Sequence, residues 1–309
     1  MSLIFNLNFF SINSINSINP KESKYPSFNS DLFSGIFLSF KKIGFFFFKN
    51  FIISIFIFFY LFSLFLIIMY KNVMKKGLFS IPIYNQNIPF DQITDEITHQ
   101  VVNSEKWGIN EAFFGEHITD KHEKVTSSLL MAATISKLTN KIKLGTLTTN
   151  LNFNNPAISA SLISMVDNLS KGRLMLGIGS GANKSDKEAV GLLDSKGHEL
   201  TLESLEIIKK ILYSKKFNSH KTKNYSVSVN KSKNPKLGLG YFNKLYNNRS
   251  NLEIIMPALG KNSYNVKLCA KNKWSIVISN FCSEEVIDNH IENYLKYSKL
   301  NKRSALKKI

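Results

Sequence analysis

Lys141–Gly179 reads KIKLGTLTTNLNFNNPAISASLISMVDNLSKGRLMLGIG, and this stretch decides the fold. It begins with a short apolar run, Lys141–Thr148, and ends with another, Arg173–Gly179. Between them Asn155-Pro156 opens a helix, with a capping side chain followed by proline at the first helical position. Ile158, Leu162, Met165 and Leu169 then recur on one helical face. The pattern is strand, helix, strand. Working outward, Gly77–Ile83 (GLFSIPI) and Ile109–Phe114 (INEAFF) read as two earlier strands. A helix over Asp91–Lys106 lies between them, with Ile93, Ile97 and Val101 four apart and a stop at Trp107-Gly108. Ser127–Leu138 reads as the next helix. Strand starts near 77, 109, 142 and 173 are spaced by 32, 33 and 31 residues. A strand–helix unit repeated at near-constant length predicts a parallel sheet covered by helices. Equal units with no order-reversing crossover favour an α/β fold of the TIM-type (β/α)₈ barrel over a doubly wound sheet.

The period breaks after residue 180. A helix over Leu200–Leu212 precedes a polar excursion, Lys215–Asn251. Leu252–Pro257 and Ser275–Asn280 read as two more strands, and Ser283–Tyr297 as a last helix. About six strands are expected, a barrel shortened at its C-terminal side. The sequence therefore divides into a low-order Phe-rich segment (1–43), a hydrophobic segment (44–73) and a barrel domain (74–309). Within the second, Phe51–Tyr70 is an uncharged stretch long enough to span a bilayer as a helix. Lysines flank it on both sides, so orientation is undefined. The alternative is translation from Met74. The two readings give a domain anchored by one pass through 51–70, or a free cytoplasmic domain.

Composition excludes some functions. The formal charge is +18. Only Arg173, Arg249 and Arg303 are arginines, whereas recognition of phosphates and bases favours arginine. The lysines read as a solvated surface, and nucleic acid is not expected as a partner. Cys269 and Cys282 form no paired spacing and read as reduced thiols. The six histidines show no ligand pattern, so no metal is expected.

Barrel chemistry sits at the C-terminal ends of the strands. Those ends carry Gly115-Glu116-His117, Leu147-Thr148-Thr149-Asn150 and Gly179-Ser180-Gly181-Ala182-Asn183. A strand-end histidine has the proton affinity for acid–base work; its alternative is an ordinary hydrogen-bonded loop residue. Gly177-x-Gly179-x-Gly181 is not a dinucleotide fingerprint. Its third glycine comes one residue early, and three β/α units precede it.

Several motifs in this order resemble the bacterial luciferase-like flavin-dependent monooxygenase family. They are Trp107-Gly108-x-x-Glu111-Ala112-Phe113-x-Gly115-Glu116-His117, Lys141-Ile142-x-Leu144-Gly145-Thr146, Asn155-Pro156, Asp167-x-Leu169-Ser170-x-Gly172-Arg173 and Gly177-Ile178-Gly179-Ser180-Gly181. Within the family the chain is most similar to the limonene-monooxygenase-like branch, through Gly115–Asp120 and Ser185-Asp186-x-Glu188-x-x-Gly191-x-Leu193-Asp194. Two departures stand out: Asn155-Pro156 where many relatives have His-Pro, and two further β/α units that relatives carry after Asn280.

The resemblance implies a flavin, FMN or FAD, reduced through NAD(P)H, and the insertion of one oxygen atom from O₂ into a small organic substrate. It implies His117 as the active-site histidine, supported by Glu116, and a non-proline cis peptide at Leu147-Thr148 against the flavin. Asn150 would reach the ring edge. Gly179, Ser180 and Gly181 would admit the flavin tail, and Lys261, Asn262 and Ser263 would bind its phosphate at a helix start. A flavin reductase and a homo- or heterodimer are the expected partners. The rivals are a deazaflavin-dependent hydride-transfer enzyme of the same fold, an inactive shortened member serving as a flavin-binding or partner subunit, and a basic protein whose membrane span is its main feature.

Overall fold

The computed structural model describes residues 57–63, 75–81 and 83–309. Residues 57–63 are helical, with Phe58 and Phe62 stacked. The expected segment 1–43 and the rest of the expected span 51–70 lie outside the described residues. Among those described, no helix is long and apolar enough to cross a membrane.

The unit beginning at Lys76 follows the predicted alternation. Its main elements are β1 (Gly77–Ser80), α1 (Phe90–Lys106), β2 (Glu111–Phe114), α2 (Ser128–Ser136), β3 (Lys143–Thr146), β4 (Thr149–Asn150), α3 (Pro156–Leu169) and β5 (Leu174–Gly179). A short helix α4 (Lys184–Ala189) precedes α5 (Gly197–Tyr213). The hairpin β6 (Ser219–Lys221) and β7 (Ser226–Ser228) forms the excursion. Then come β8 (Glu253–Ala258), α6 (Tyr264–Asn272), β9 (Ser275–Ile278), α7 (Glu284–Ser298) and α8 (Lys302–Leu306).

The sheet order is β1-β2-β3-β5-β8-β9, with β4 beside β5, and every pairing in it is parallel. The order never reverses. This is one wall of a β/α barrel, about half of it, and not a doubly wound sheet. Alternate residues face opposite sides because the strand period is two. In the register Leu78–Ala112–Leu144–Leu174, each side chain joins the large core under the helices. On the other, concave face Phe113, Met175 and Ile255 form a smaller cluster with Phe79, Leu147 and Val277. The edge beyond β9 is partly used: Ile276 N–H donates to the Lys308 carbonyl at 2.7 Å.

One predicted strand is split. Lys141–Thr148 reads as continuous, but β3 ends at Thr146 and β4 begins at Thr149. Gly145 pairs with Met175 and Thr149 with Ile178, so four steps along one strand face three along the other. The extra residue makes a bulge. Thr146 Oγ1 stands in for the interrupted ladder, donating to Gly177 O at 2.8 Å and accepting from Gly177 N–H at 3.0 Å.

The motif residues Asp167 and Arg173 fasten elements. Arg173 uses its whole guanidinium on Ser170 O, Thr139 Oγ1, Ile142 O, Ser136 O and Thr139 O, holding the end of α2 against the start of β3. Asp167 anchors the end of the excursion through Tyr246 and Arg249.

His290 on α7 is fully buried, and neither ring nitrogen has a partner among the described residues. Burial holds its pKa below the ordinary histidine value. An unsatisfied buried polar group costs about 1–3 kcal/mol. His290→Leu is therefore expected to stabilise the fold by about 1–2 kcal/mol in urea unfolding. Because the folded-state pKa is depressed, the unfolded chain takes up the proton first. Wild-type stability should fall as pH drops below about 6.5, and the gap to the variant should widen there. A variant less stable than wild type at pH 8 would show that the imidazole has a partner.

Candidate active site

His117 follows β2 at its C-terminal end and sits between two carboxylates. Its Nδ1 is 2.9 Å from Asp186 Oδ2, and its Nε2 is 3.1 Å from Glu123 Oε2. Asp186 belongs to α4, which the loop after β5 delivers across the strand ends. The Asp186 side chain is almost wholly buried. Its other oxygen accepts from Ile118 N–H at 3.2 Å and Thr119 N–H at 2.9 Å, and from the Thr119 hydroxyl. Burial alone would raise its pKa, but the hydrogen bonds from Thr119 and His117 outweigh it and lower the carboxyl. Glu123 goes the other way: burial pushes its carboxyl up, and the nearby negative Asp120 and Asp186 add to that against the pull of His117.

Glu116 is differently employed. Its carboxylate accepts from the Ser128 N–H and hydroxyl at 3.0 and 2.7 Å, and from Asn150 N–H at 2.8 Å. It thus sits at the N-terminus of α2, a favourable place for an anion. Burial nevertheless raises its pKa. None of its hydrogen bonds goes to His117, so its geometry is that of a brace between β2, α2 and β4.

The bulge lies beside this cluster. The peptide bond between Leu147 and Thr148 is cis. Gly177 and Gly179 make the approach possible: a Cβ on Gly177 would stand 1.9 Å from the Thr146 carbonyl oxygen, and one on Gly179 would stand 2.2 Å from Thr148 Oγ1. Asn150 Oδ1 accepts from Gly181 N–H at 2.8 Å, and the Phe153 ring fills the space beside Gly181. The Ser180 carbonyl accepts from Asn152 Nδ2 at 3.2 Å and faces the start of α5. These glycines are accounted for by contacts within the chain.

The structure thus gathers Glu116, His117, Leu147, Thr148, Asn150, Gly179 and Gly181 around the ends of β2, β4 and β5. Lys261, Asn262 and Ser263 stand elsewhere, between β8 and α6, where Ser263 occupies the cap position of α6. Lys261 is ion-paired with Glu285, and Asn262 exchanges hydrogen bonds with Asn289 at 2.9 and 3.2 Å. His198, at the start of α5, meets Tyr264 edge to face at 5.2 Å.

A small pocket at the ends of β1 and β2 is lined by Ser80, Ile81, Gly115, His117, Glu123 and Val125. Ser80 Oγ and Glu123 Oε2 are buried there without a hydrogen-bond partner among the described residues. The 3.1 Å contact of Glu123 with His117 is close but poorly aligned for a hydrogen bond. Asp186 and Glu123 were not among the residues picked from the sequence. Asp186 was visible only as part of the Ser185-Asp186 motif, and nothing in the spacing linked it to a histidine 69 positions earlier.

A parallel half-barrel with its polar cluster at the strand C-termini defines the class, and comparison with known proteins defines the family. The family profile described as luciferase-like monooxygenase matches residues 79–238, more than half of the chain. The chain belongs to the luciferase-like monooxygenase family. It is 32% identical over 108 residues to 4-hydroxyprotoasukamycin monooxygenase of Streptomyces nodosus subsp. asukaensis, covering 35% of this chain and 29% of that protein. It is 28% identical over 112 residues to limonene 1,2-monooxygenase of Rhodococcus erythropolis, covering 36% and 29%. Among solved structures, the oxygenating constituent of 3,6-diketocamphane monooxygenase from Pseudomonas putida, in complex with FMN, superposes with a TM-score of 0.67. That match has 23% identity and covers 73% of this chain and 62% of that one. The coenzyme F420-dependent tetrahydromethanopterin reductase of Methanopyrus kandleri gives a TM-score of 0.54 at 20% identity, covering 72% and 60%. The matched stretch is thus under a third of each named relative and about three-fifths of each structural neighbour.

Proposed function

We propose that this chain is the oxygenase component of a two-component flavin monooxygenase. Reduced FMN, supplied from NAD(P)H by a separate flavin reductase, and O₂ would serve to insert one oxygen atom into a small organic substrate. The observation that carries the reading is the position of His117, held between Asp186 and Glu123 at the strand ends, beside the Leu147–Thr148 bulge.

Orphaned polar atoms of Ser80 and Glu123 lie among apolar Ile81 and Val125 in a small pocket, so they would meet only the polar rim of a flat heterocycle lying across the strand ends. Leu147 and Thr148 would back the ring, and Asn150 would meet its edge. Ser180 and the adjoining Gly179 and Gly181 would flank the tail. The start of α6 at Ser263 would receive the phosphate, with Lys261 and Asn262 released from Glu285 and Asn289. Bound reduced flavin supplies the electrons that activate O₂. The chain's own contribution is to orient substrate, exclude water and hold a proton at the imidazole of His117. Glu116 keeps β4, and with it Asn150, in register. FMN is preferred to FAD because the P. putida neighbour carries FMN. A homo- or heterodimer, formed across the open sheet, belongs to the same reading.

A second reading has support in the likeness to the F420-dependent reductase: hydride transfer with a deazaflavin. Titrating the purified full chain with FMN and with a deazaflavin, followed by fluorescence, separates the two. Tight FMN binding together with O₂-dependent substrate oxidation is expected. Preference for the deazaflavin, or no binding of either, would overturn the proposal.

A further inference from the structure

The carboxylates on either side of His117 are not equivalent. Asp186 is fully engaged. One oxygen takes the imidazole Nδ1, and the other takes the Ile118 and Thr119 N–H groups and the Thr119 hydroxyl. A side chain with its acceptor sites filled by donors has no use for a proton of its own. Against it, the imidazole presents Nδ1–H, which fixes the tautomer and the plane of the ring. Glu123 is the opposite case. Its Oε2 is shielded from solvent and has no hydrogen-bond partner among the described residues, yet His117 Nε2 stands 3.1 Å away. It also lines the pocket in which Ser80 Oγ is unpaired.

We infer that Asp186 is the positioning residue of this site and that the working proton is held jointly by His117 Nε2 and Glu123 Oε2. This rests on the reading of His117 as the residue that handles protons, and it names the group that shares the task. The proton has two homes. In one, the ring is imidazolium and Glu123 is carboxylate. In the other, the ring is neutral with its hydrogen on Nδ1, and Glu123 is the acid donating to Nε2. Passage between them moves one proton over one contact, once a small rotation of the Glu123 carboxyl aligns it with Nε2. Net charge is unchanged and no other reactant is needed.

The surroundings agree with this. The groups acting on Glu123 are His117, which favours the carboxylate, and Asp120 and Asp186, which disfavour it along with burial. Lys124, next to Glu123 in the sequence, spends its Nζ on the carbonyls of Gln86 and Ile88 at 2.8 and 2.7 Å. Among the groups that act on Glu123 only His117 favours its charged form, whereas Asp186 is held charged by several donors. Coupled groups of this kind titrate as a pair.

The test uses the full chain, labelled for histidine ¹⁵N and glutamate side-chain ¹³C NMR, with the His117 signals assigned by their loss in His117→Ala. In the wild type the Nδ1 signal should report a bonded hydrogen throughout. The His117 Nε2 and Glu123 carboxyl signals should follow one common titration curve. Asp186→Asn keeps an oxygen for the Thr119 donors but removes the charge facing Nδ1, so the preference for the Nδ1–H tautomer should fall by about tenfold or more. Glu123→Gln, which disturbs no other bond described above, should leave thermal unfolding unchanged and abolish the shared curve. Independent titration of His117 and Glu123, or a neutral wild-type ring with its hydrogen on Nε2 and none on Nδ1, would overturn the inference. Failure of flavin binding with the shared curve intact would instead count against the proposed function alone.

Discussion

His117→Ala should lower turnover by about 10²–10⁴-fold, the usual contribution of a positioned acid–base group. The expectation follows from where the imidazole stands. It lies at the C-terminal end of a barrel strand, it is partly exposed to the pocket, and one carboxylate bonds its Nδ1 while a second stands 3.1 Å from its Nε2. Removing the ring should leave the local fold standing. Asp186 still accepts from Ile118 and Thr119, and the His117 N–H still donates to the Val125 carbonyl at 3.0 Å. Flavin affinity should change little, because Leu147, Thr148, Asn150 and the start of α6 are untouched. The measurement is O₂-dependent substrate oxidation with reductase-supplied FMN, alongside FMN titration of the same preparation. Full turnover in the variant would reduce His117 to a loop residue. Equal loss of flavin binding and turnover would move its role from proton handling to cofactor binding.

The repeated unit was legible because it is local. Asn155 and Pro156 announce a helix start, and the structure begins α3 at Pro156 with Asn155 Oδ1 accepting from Ala157 N–H at 2.9 Å. Even spacing and apolar runs were enough for the parallel wall, since each strand pairs with the next unit along. The bulge was less legible from strand composition. KIKLGTLT reads as one apolar run, and only the glycines facing it across the sheet, Gly177 and Gly179, mark the place where the backbone must approach. The helix α4 was missed because six mostly polar residues carry no sustained period. That short helix nonetheless supplies Asp186. Lys261, Asn262 and Ser263 are expected to bind the flavin phosphate through the family resemblance, and donors at a helix start suit an anion. The sequence could not reveal that Glu285 and Asn289, a full β/α unit later, would face them. Local rules recover elements, whereas side-chain partners depend on how elements meet.

Asp167 and Arg249 carry the largest stability effect to be expected outside the site. The Asp167 carboxylate is completely buried, and the Arg249 guanidinium is its counter-ion. The fork of Arg249 reaches both carboxylate oxygens, Nε to Oδ2 at 3.1 Å and Nη2 to Oδ1, while Nη2 also donates to Leu174 O at 3.2 Å. Tyr246 N–H donates to Oδ2 at 2.9 Å. Arg249→Met keeps the aliphatic stem but leaves a charge in the interior with one neutral donor. Breaking a buried pair in this way costs about 3–5 kcal/mol. That is a large part of a typical domain stability of about 5–15 kcal/mol. Arg249→Lys should recover little, because an ammonium lacks the planar fork. Asp167→Asn combined with Arg249→Met should be less damaging than Arg249→Met alone, since it removes the stranded charge and leaves an oxygen for Tyr246. Urea unfolding of the full chain gives the ordering through shifts in midpoint at constant slope. A loss below about 1 kcal/mol for Arg249→Met would make the pair no better than a surface contact. The site has a stake in the result. Arg249 ties the end of the excursion to α3 and β5 just before β8, and β8 leads directly to Lys261, Asn262 and Ser263. In Arg249→Met the flavin affinity should therefore weaken while the His117–Asp186 geometry, built on β2 and α4, persists.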